Sequence, residues 1–517
     1  MQTFENPVIA GFYPDPSVTR VGEDYYLVTS SFEYFPGVPI FHSRDLVNWK
    51  QIGHCLTHTS QLPLSDVTRS DNVYATTKGF NGGIYAATIR YFEGQFIVVT
   101  TNVTIGSHFY VTSKDPFGPW SDPIWVAVPE VGASIDPSIF IDDDGTAYFT
   151  CNGTQPHGIY QFVIDLKTGK RLSEVRRISG HFVGKSEEGP HLYRINGSYY
   201  LLTAEGGTEY GHLIAIGRSH SPWGPFESSP FNPLLSHRSF DSPIQCTGHG
   251  DLFQAHDGSW WLVFLAVRPN GYPPTYHLGR ETFLAPVRWS DDGWPVVGDN
   301  GRIPSIQNSP SFFESRLLDE NVHDDFDDHE LALDWNFLRN PDPKSWSLSE
   351  RSGWLCLHGS QTSTLNQAHK SPTFVGRRQR HFNCKVETLV EIAPDAADGE
   401  AGLTVFMNEQ HHYEIALAVQ NKQTEVLVRR RIGDLWAVTA RLSIATNHLK
   451  LSIDADKDQY TFYATINENQ VLLANGETRY LSTEVAGGFT GVYLGMFATT
   501  KAYFDYFKYD VKSSQES

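Results

Sequence analysis

The chain has 517 residues, 40% of them hydrophobic and 13% aromatic, and a formal net charge of −19. That length allows two or three domains with sizeable cores. The acidic balance argues against nucleic acid or an anionic membrane surface as a partner and suits a neutral substrate.

Aromatic and Gly richness with only 3 Met predicts an all-β protein. Five segments repeat one pattern. They begin at Asp15-Pro-Ser-Val, Ala86-Ala-Thr-Ile, Asp136-Pro-Ser-Ile, Glu188-Gly-Pro-His-Leu and His249-Gly-Asp-Leu. Each runs into a turn rich in Gly, Asp or Asn and then into an apolar stretch such as Tyr25-Tyr-Leu-Val or Trp260-Trp-Leu-Val-Phe. This reads as strand, tight turn, strand. A recurrence of this length suggests a radial β array such as a propeller. In a propeller the first strand of each blade lines the axis, so Asp15, Asp136, Glu188 and His249 are expected to share one pocket.

The stretch near 298–322 reads as a connector. Beyond it the repeats stop, and short alternating strands such as Tyr413-Glu-Ile-Ala-Leu-Ala-Val and Leu449-Lys-Leu-Ser-Ile-Asp predict a β-sandwich. The expected domains are 1–310, catalytic, and 320–512, a sandwich packing on it. The run Asp142-Asp-Asp-Gly reads as a solvated hairpin turn.

Cys55, Cys151, Cys246, Cys356 and Cys384 show no CxxC or Cys/His ligand spacing, which predicts free thiols and no zinc site. No apolar run approaches the roughly 18 residues of a membrane span. The start, Met1-Gln-Thr-Phe-Glu-Asn-Pro, lacks the basic and apolar regions of a signal peptide, so a cytoplasmic location is expected, with secretion left open for a trimmed N-terminus.

Two or three carboxylates in an aromatic-walled pocket suggest glycoside hydrolysis. That reaction needs an acid for the leaving oxygen and a second carboxylate to activate water or attack. Phe12, Tyr13, Phe32, Tyr34, Phe35 and Tyr85 could stack on a sugar face. A lone Asp before Pro is commonly a turn residue, but two at equivalent repeat positions plus a Glu at a third weigh against that. Spacing alone leaves Glu187 and Glu188 as alternatives, and leaves His249 open to being a hydrogen-bonded core residue.

Several motifs in fixed order resemble glycoside hydrolase family 43, and closely its two-domain β-xylosidases. They include Gly11-Phe-Tyr-Pro-Asp-Pro-Ser, Ser31-Phe-Glu-Tyr-Phe-Pro-Gly-Val-Pro-Ile, Ile135-Asp-Pro-Ser-Ile-Phe, Glu188-Gly-Pro-His-Leu-Tyr, Thr203-Ala-Glu-Gly-Gly-Thr, Leu278-Gly-Arg-Glu-Thr-Phe and Phe489-Thr-Gly-Val-Tyr-Leu-Gly-Met. The resemblance covers essentially the whole chain. It implies a five-bladed β-propeller followed by a C-terminal β-sandwich, a concanavalin A-like jelly roll. It also implies Asp15 as general base, Glu188 as general acid, and Asp136 as the residue that orients the acid and raises its pKa. Phe32, Tyr85, His249, Arg280 and Phe489 are then substrate-site residues, with Phe489 reaching from the sandwich. No cofactor is required, though some relatives hold a calcium ion near the histidine.

The expected function is an exo-acting inverting hydrolase that releases xylose from non-reducing ends of β-1,4-xylo-oligosaccharides. The alternative is an α-L-arabinofuranosidase acting on arabinoxylan or arabino-oligosaccharides. A remote alternative is a non-catalytic glycan-binding propeller. Tyr85 stands where the family often has Trp, which bears on sugar preference. The expected partner is a xylo-oligosaccharide or arabinoxylan fragment, with no nucleic acid, no membrane and a possible homo-oligomer.

Overall fold

The computed structural model is built almost wholly of antiparallel strands, and describes residues 2–64, 81–315, 320–362, 364–367 and 371–512. Helix among them is confined to Thr483–Ala486 and two single 3-10 turns. Chain contacts divide the protein into two compact units. One comprises Met1–Pro63, Arg69–Arg268 and Arg280–Arg316, the other Leu64–Thr68, Pro269–Gly279 and Leu317–Ser517. The segment Pro269–Gly279 thus groups with the second unit although it lies among the repeats.

In the first unit, five four-stranded antiparallel sheets follow one another along the chain. Their first strands are Ser17–Val21, Thr88–Phe92, Ser138–Ile141, Glu188–Ile195 and Gln245–Gln254. Each of these strands touches the next, and Gln245–Gln254 touches Ser17–Val21, so they close a ring. The turns behind them follow from local chemistry. Asn196 and Gly197 both have positive φ (51° and 80°), the type I′ geometry that matches strand twist and that an Asn-Gly pair adopts at little cost.

Apolar cores fill the wedges between sheets. Tyr25, Leu27 and Phe41 of the first sheet pack with Phe253, Trp261, Val263 and Leu284 of the fifth. Ile97, Val99 and Tyr110 of the second pack with Ile139, Phe149 and Phe162 of the third. The N-terminal segment ties the ring shut: the Asn6 side chain bonds both backbone groups of Leu284, and Thr3–Glu5 pairs with Ile306–Asn308. The stretch that reads as a connector therefore contains a closing strand. Asp142 also departs from expectation. It is buried and accepts hydrogen bonds from Tyr199 (2.6 Å) and Arg194 (2.9 Å), so it ties the third sheet to the fourth rather than facing solvent.

The second unit is a β-sandwich. One sheet orders Trp346–Ser347, Leu355–His358, Lys501–Val511, Cys384–Ile392, His448–Ala455, Gln459–Ile466 and Asn469–Glu477. The other orders Phe374–Arg378, Tyr493–Ala498, Gly399–Asn408, His411–Gln420, Gln423–Ile432 and Leu435–Ile444. Cys384–Ile392 shows why the sheets stack: every second residue is buried, as a strand with one core face requires. All five cysteines are free and buried.

Candidate active site

Asp15, Asp136 and His249 share one backbone device. Each has positive φ, at 55°, 54° and 43°; Asp15 and Asp136 lie just before ring strands, and His249 lies at a bulge within Gln245–Gln254. Such a conformation is uncommon outside Gly and persists where surroundings enforce it, frequently at functional sites. Gly189, beside Glu188, has φ 57°. A Cβ there would stand 3.1 Å from His249 Nδ1, so the glycine lets the acid-bearing strand lie against the imidazole.

These strands bring the expected residues together. His249 Nδ1 lies 3.8 Å from Asp15 Oδ1 and 3.8 Å from Asp136 Oδ2, which puts those two oxygens no further apart than twice that distance. Arg280 Nη1 donates to Asp15 Oδ1 at 2.9 Å and to Thr208 Oγ1 at 3.1 Å. The Ser30 hydroxyl donates to Asp15 Oδ2. Asp136 Oδ2 accepts the Gly189 N–H at 3.0 Å, a direct tether on the residue next to Glu188.

The same contacts sort the carboxyls by charge. Burial alone would push Asp15 up, but Arg280, His249 and Ser30 outweigh it and hold Asp15 below the usual carboxylate range. Glu188 is pushed up to about 7, first by burial and then by the nearby Asp15 charge, which exceeds the opposing pull of Arg280. Asp136 is also pushed up to about 7, first by burial; Glu188 and Asp15 add to this, while His249 and the Gly189 N–H oppose it. The push on Glu188 therefore comes from burial and Asp15, where sequence reasoning looked to Asp136. Near neutral pH the cluster pairs an ionised Asp15 with a Glu188 that is about half protonated.

Glu187 faces elsewhere. It is fully buried and accepts the Ser179 hydroxyl at 2.6 Å, and its main-chain carbonyl accepts Asn152 Nδ2 at 2.7 Å. Of the pair that spacing leaves open, Glu187 is the one whose side chain is turned to Ser179. Phe32 and Tyr85 stand with ring centroids 4.8 Å apart, and the Arg280 guanidinium lies 5.6 Å from the Phe32 ring. The Tyr85 hydroxyl donates to the Asn81 carbonyl at 2.8 Å. A Cβ at Gly83 would meet the Phe32 carbonyl oxygen at 2.0 Å, so the Gly82-Gly83 pair lets the two aromatic-bearing segments bridge. Phe489 belongs to the second unit.

Sequence reasoning missed the network next to the site. Asp251 accepts hydrogen bonds from Ser17 (2.7 Å), Tyr193 (2.7 Å) and Arg90 (2.8 Å and 3.1 Å). Arg90 Nη2 also lies 2.9 Å from His191 Nδ1. As Arg can only donate, that imidazole is neutral with its proton on Nε2. Burial, more than the neighbouring charges, holds His191 down to about 3. Ser17 and Asp251 lie only two residues beyond Asp15 and His249, and that nearness in sequence offered a signal. His212 was missed too. Its ring packs on Gly248, where a Cβ would stand 2.1 Å away, and burial holds it neutral.

Comparison with known proteins fits this geometry. Residues 4–295 match the model for glycosyl hydrolases family 43, and residues 323–510 match the β-xylosidase C-terminal concanavalin A-like domain. The chain belongs to glycoside hydrolase family 43. Among family 43 relatives, a non-reducing end α-L-arabinofuranosidase of Bacteroides ovatus is 44% identical over 98% of this chain and 95% of its own. A xylosidase/arabinosidase of Butyrivibrio fibrisolvens is 36% identical over 98% of this chain and 99% of its own. The crystal structure of a family 43 protein from Bacillus licheniformis superposes with a TM-score of 0.90 at 33% identity, covering 99% of this chain and all of that one. The family 43 chain is accordingly an all-β glycoside hydrolase with a propeller-type catalytic domain and a concanavalin A-like C-terminal domain.

Proposed function

We propose that this enzyme removes single pentose residues, β-D-xylosyl or α-L-arabinofuranosyl, from non-reducing ends of xylo-oligosaccharides or arabinoxylan fragments, with inversion. The observation that carries the reading is a buried cluster whose contacts push two carboxyls in opposite directions. Asp15, held ionised by Arg280, is suited to take a proton from water. Glu188, pushed up to about 7, is suited to give one to the leaving oxygen. Asp136 positions the acid through the Gly189 N–H. Phe32 and Tyr85 supply apolar surface for a sugar ring, and the family resemblance assigns Arg280 to the sugar hydroxyls. Phe489 is assigned to substrate contact on family resemblance alone. The arabinofuranosidase side of the reading is supported by the 44% identical relative, and the xylosidase side by the C-terminal domain match and the xylosidase/arabinosidase.

The reading needs no metal at His249. Calcium takes six to eight oxygen ligands. The carboxylates beside this ring are already engaged, Asp15 by Arg280 and Ser30 and Asp136 by Gly189. Asp15, Asp136 and His249 are also not among the sets of three ligand atoms that converge within 4.8 Å in the described residues.

The test is turnover of nitrophenyl β-D-xylopyranoside and nitrophenyl α-L-arabinofuranoside by the purified chain, with the first-formed anomer read by NMR. Turnover of at least one, with the inverted anomer appearing first, is expected. Activity on neither, or a retained anomer, would overturn it.

A further inference from the structure

Cys356 and His358 alternate on one short strand, Leu355–His358, so their side chains fall on the same face. The turn before that strand carries Glu350, whose backbone N–H is held by Ser347 Oγ at 3.1 Å. The three side chains converge. Cys356 Sγ lies 3.5 Å from Glu350 Oε2 and 3.6 Å from His358 Nε2, and those two atoms are 2.7 Å apart. Among the described residues, this is the only group of three His, Cys, Asp or Glu ligand atoms within 4.8 Å of one another.

We propose that Glu350, Cys356 and His358 form a binding site for a thiophilic divalent cation, zinc being the natural candidate, with water as the fourth ligand. Sulfur, imidazole nitrogen and carboxylate oxygen are all zinc donors, with bonds of about 2.3, 2.0 and 2.0 Å. Tetrahedral angles then place sulfur about 3.5–3.6 Å from the other two donors, and the observed pair of sulfur distances matches. The nitrogen–oxygen edge must open by roughly 0.6 Å, because a hydrogen bond now spans it.

The surroundings favour the metal-ready state of Glu350. Lys501 stands opposite His358 in the neighbouring strand and pairs with Glu350 Oε1 at 2.5 Å. That contact keeps the carboxylate ionised and leaves Oε2 turned to the other two ligands. The remaining nearby charge, Arg351, is paired with Glu391. The other two donors must each give up a proton: the one that His358 Nε2 now donates to Glu350 Oε2 moves to Nδ1 through solvent, and the Cys356 thiol ionises. Burial and the Glu350 charge push the Cys356 thiol up, so binding replaces the S–H bond by a sulfur–metal bond and releases one proton. The strand is firmly seated, through His358 N–H to Ser345 O (2.8 Å) and its pairing with Lys501–Val511. The site therefore requires little backbone movement. A Cys-x-His pair was invisible to a search for CxxC, because strand geometry rather than a zinc knuckle presents it.

The test is titration of the full-length reduced protein with cobalt(II) and then zinc(II). Cobalt is expected to bind one per chain, with a sulfur-to-cobalt charge-transfer band in the near ultraviolet. One proton should be released, and zinc should displace the cobalt. Cys356→Ser should abolish the band, and His358→Gln or Glu350→Gln should weaken binding about tenfold or more, given that even outer-shell partners are worth that much. The other four cysteines are buried and free, so the Cys356→Ser control isolates the site. Absence of the band in the parent protein would overturn the proposal, as would a cobalt affinity unchanged in both His358→Gln and Glu350→Gln.

Discussion

Arg280 and Asp15, 265 residues apart in sequence, are joined by a 2.9 Å ion pair in which both side chains are almost wholly buried. A buried pair is costly unless its remaining groups are bonded, and here Thr208 bonds the guanidinium and Ser30 the carboxylate. Its value lies in charge: it holds one carboxylate below its ordinary range beside two that are pushed up to about 7. Arg280→Met should raise the Asp15 pKa, because the main opposing charge to its burial is gone. The acidic limb of kcat/KM should then move to higher pH, together with a loss of rate on the order of 10²-fold. An acidic limb left where it is in the parent enzyme would separate Arg280 from control of Asp15.

Glu188 sets the other limb. With its carboxyl pushed up to about 7, kcat/KM should fall as pH rises through that region, because the acid form is lost. Asp136 titrates in the same range, so the limb reports the pair. Glu188→Ala should lose about 10²–10⁴-fold on unactivated xylo-oligosaccharides. It should lose far less on nitrophenyl glycosides, whose leaving group needs little protonation. Equal losses on the two substrate types would remove Glu188 from the role of acid.

Asp136 makes a prediction about stability. Its folded-state pKa is raised, so between the ordinary carboxylate range and about pH 7 the folded state holds a proton that the unfolded state has lost. Stability therefore falls as pH rises across that window. Asp136→Asn removes this slope and keeps an acceptor for the Gly189 N–H. Melting temperatures at pH 5 and pH 8 should show a larger gain for the variant at pH 8, alongside a loss of activity. A gain independent of pH would mean that Asp136 is ionised in the fold throughout.

Much of this was legible in the sequence because it rests on periodicity. The repeated strand-turn-strand pattern gave the sheets, and equivalent places in the repeat put Asp15, Asp136, Glu188 and His249 together before any coordinate was known. What stayed hidden depends on side-chain direction and on partners from distant strands. Glu187 and Glu188 are neighbours in sequence, yet one turns to Ser179 and the other feels the charge of Asp15. Arg90, Asp251 and His191 come from three sheets and share no motif. Asp142 has the composition of a surface turn, and only Tyr199 and Arg194, supplied by the next sheet, bury it. The closing strand Ile306–Asn308 has no apolar alternation to announce it, since its pairing with Thr3–Glu5 joins opposite ends of the unit.

Gly189 tests the packing beneath the acid. At φ 57° a side chain costs about 1–2 kcal/mol. The added Cβ would also press on the His249 ring at 3.1–3.3 Å. Gly189→Ala should lower thermal stability by that order. It should also lower kcat more than it raises KM, because it shifts Glu188 relative to Asp15. A stable variant with full kcat would show that the tether to Asp136 tolerates a displaced strand.

Tyr85 bears on which pentose is preferred. Its ring stands against Phe32 at 4.8 Å, and its hydroxyl is committed to the Asn81 carbonyl at 2.8 Å. Two changes separate these contributions. Tyr85→Phe keeps the ring and deletes the hydroxyl, so Asn81 loses a bond worth about 1 kcal/mol while the stacking surface stays. Tyr85→Trp widens the apolar surface and removes the same hydroxyl. If ring area sets the preference, the ratio of xylopyranoside to arabinofuranoside turnover should move in Tyr85→Trp and hold in Tyr85→Phe. If the position of the Asn81 segment sets it, both variants should move the ratio alike. A ratio untouched in both would place specificity on other residues of the pocket, with Arg280 the first to examine, because its guanidinium lies over the Phe32 ring and reaches Asp15 at the same time.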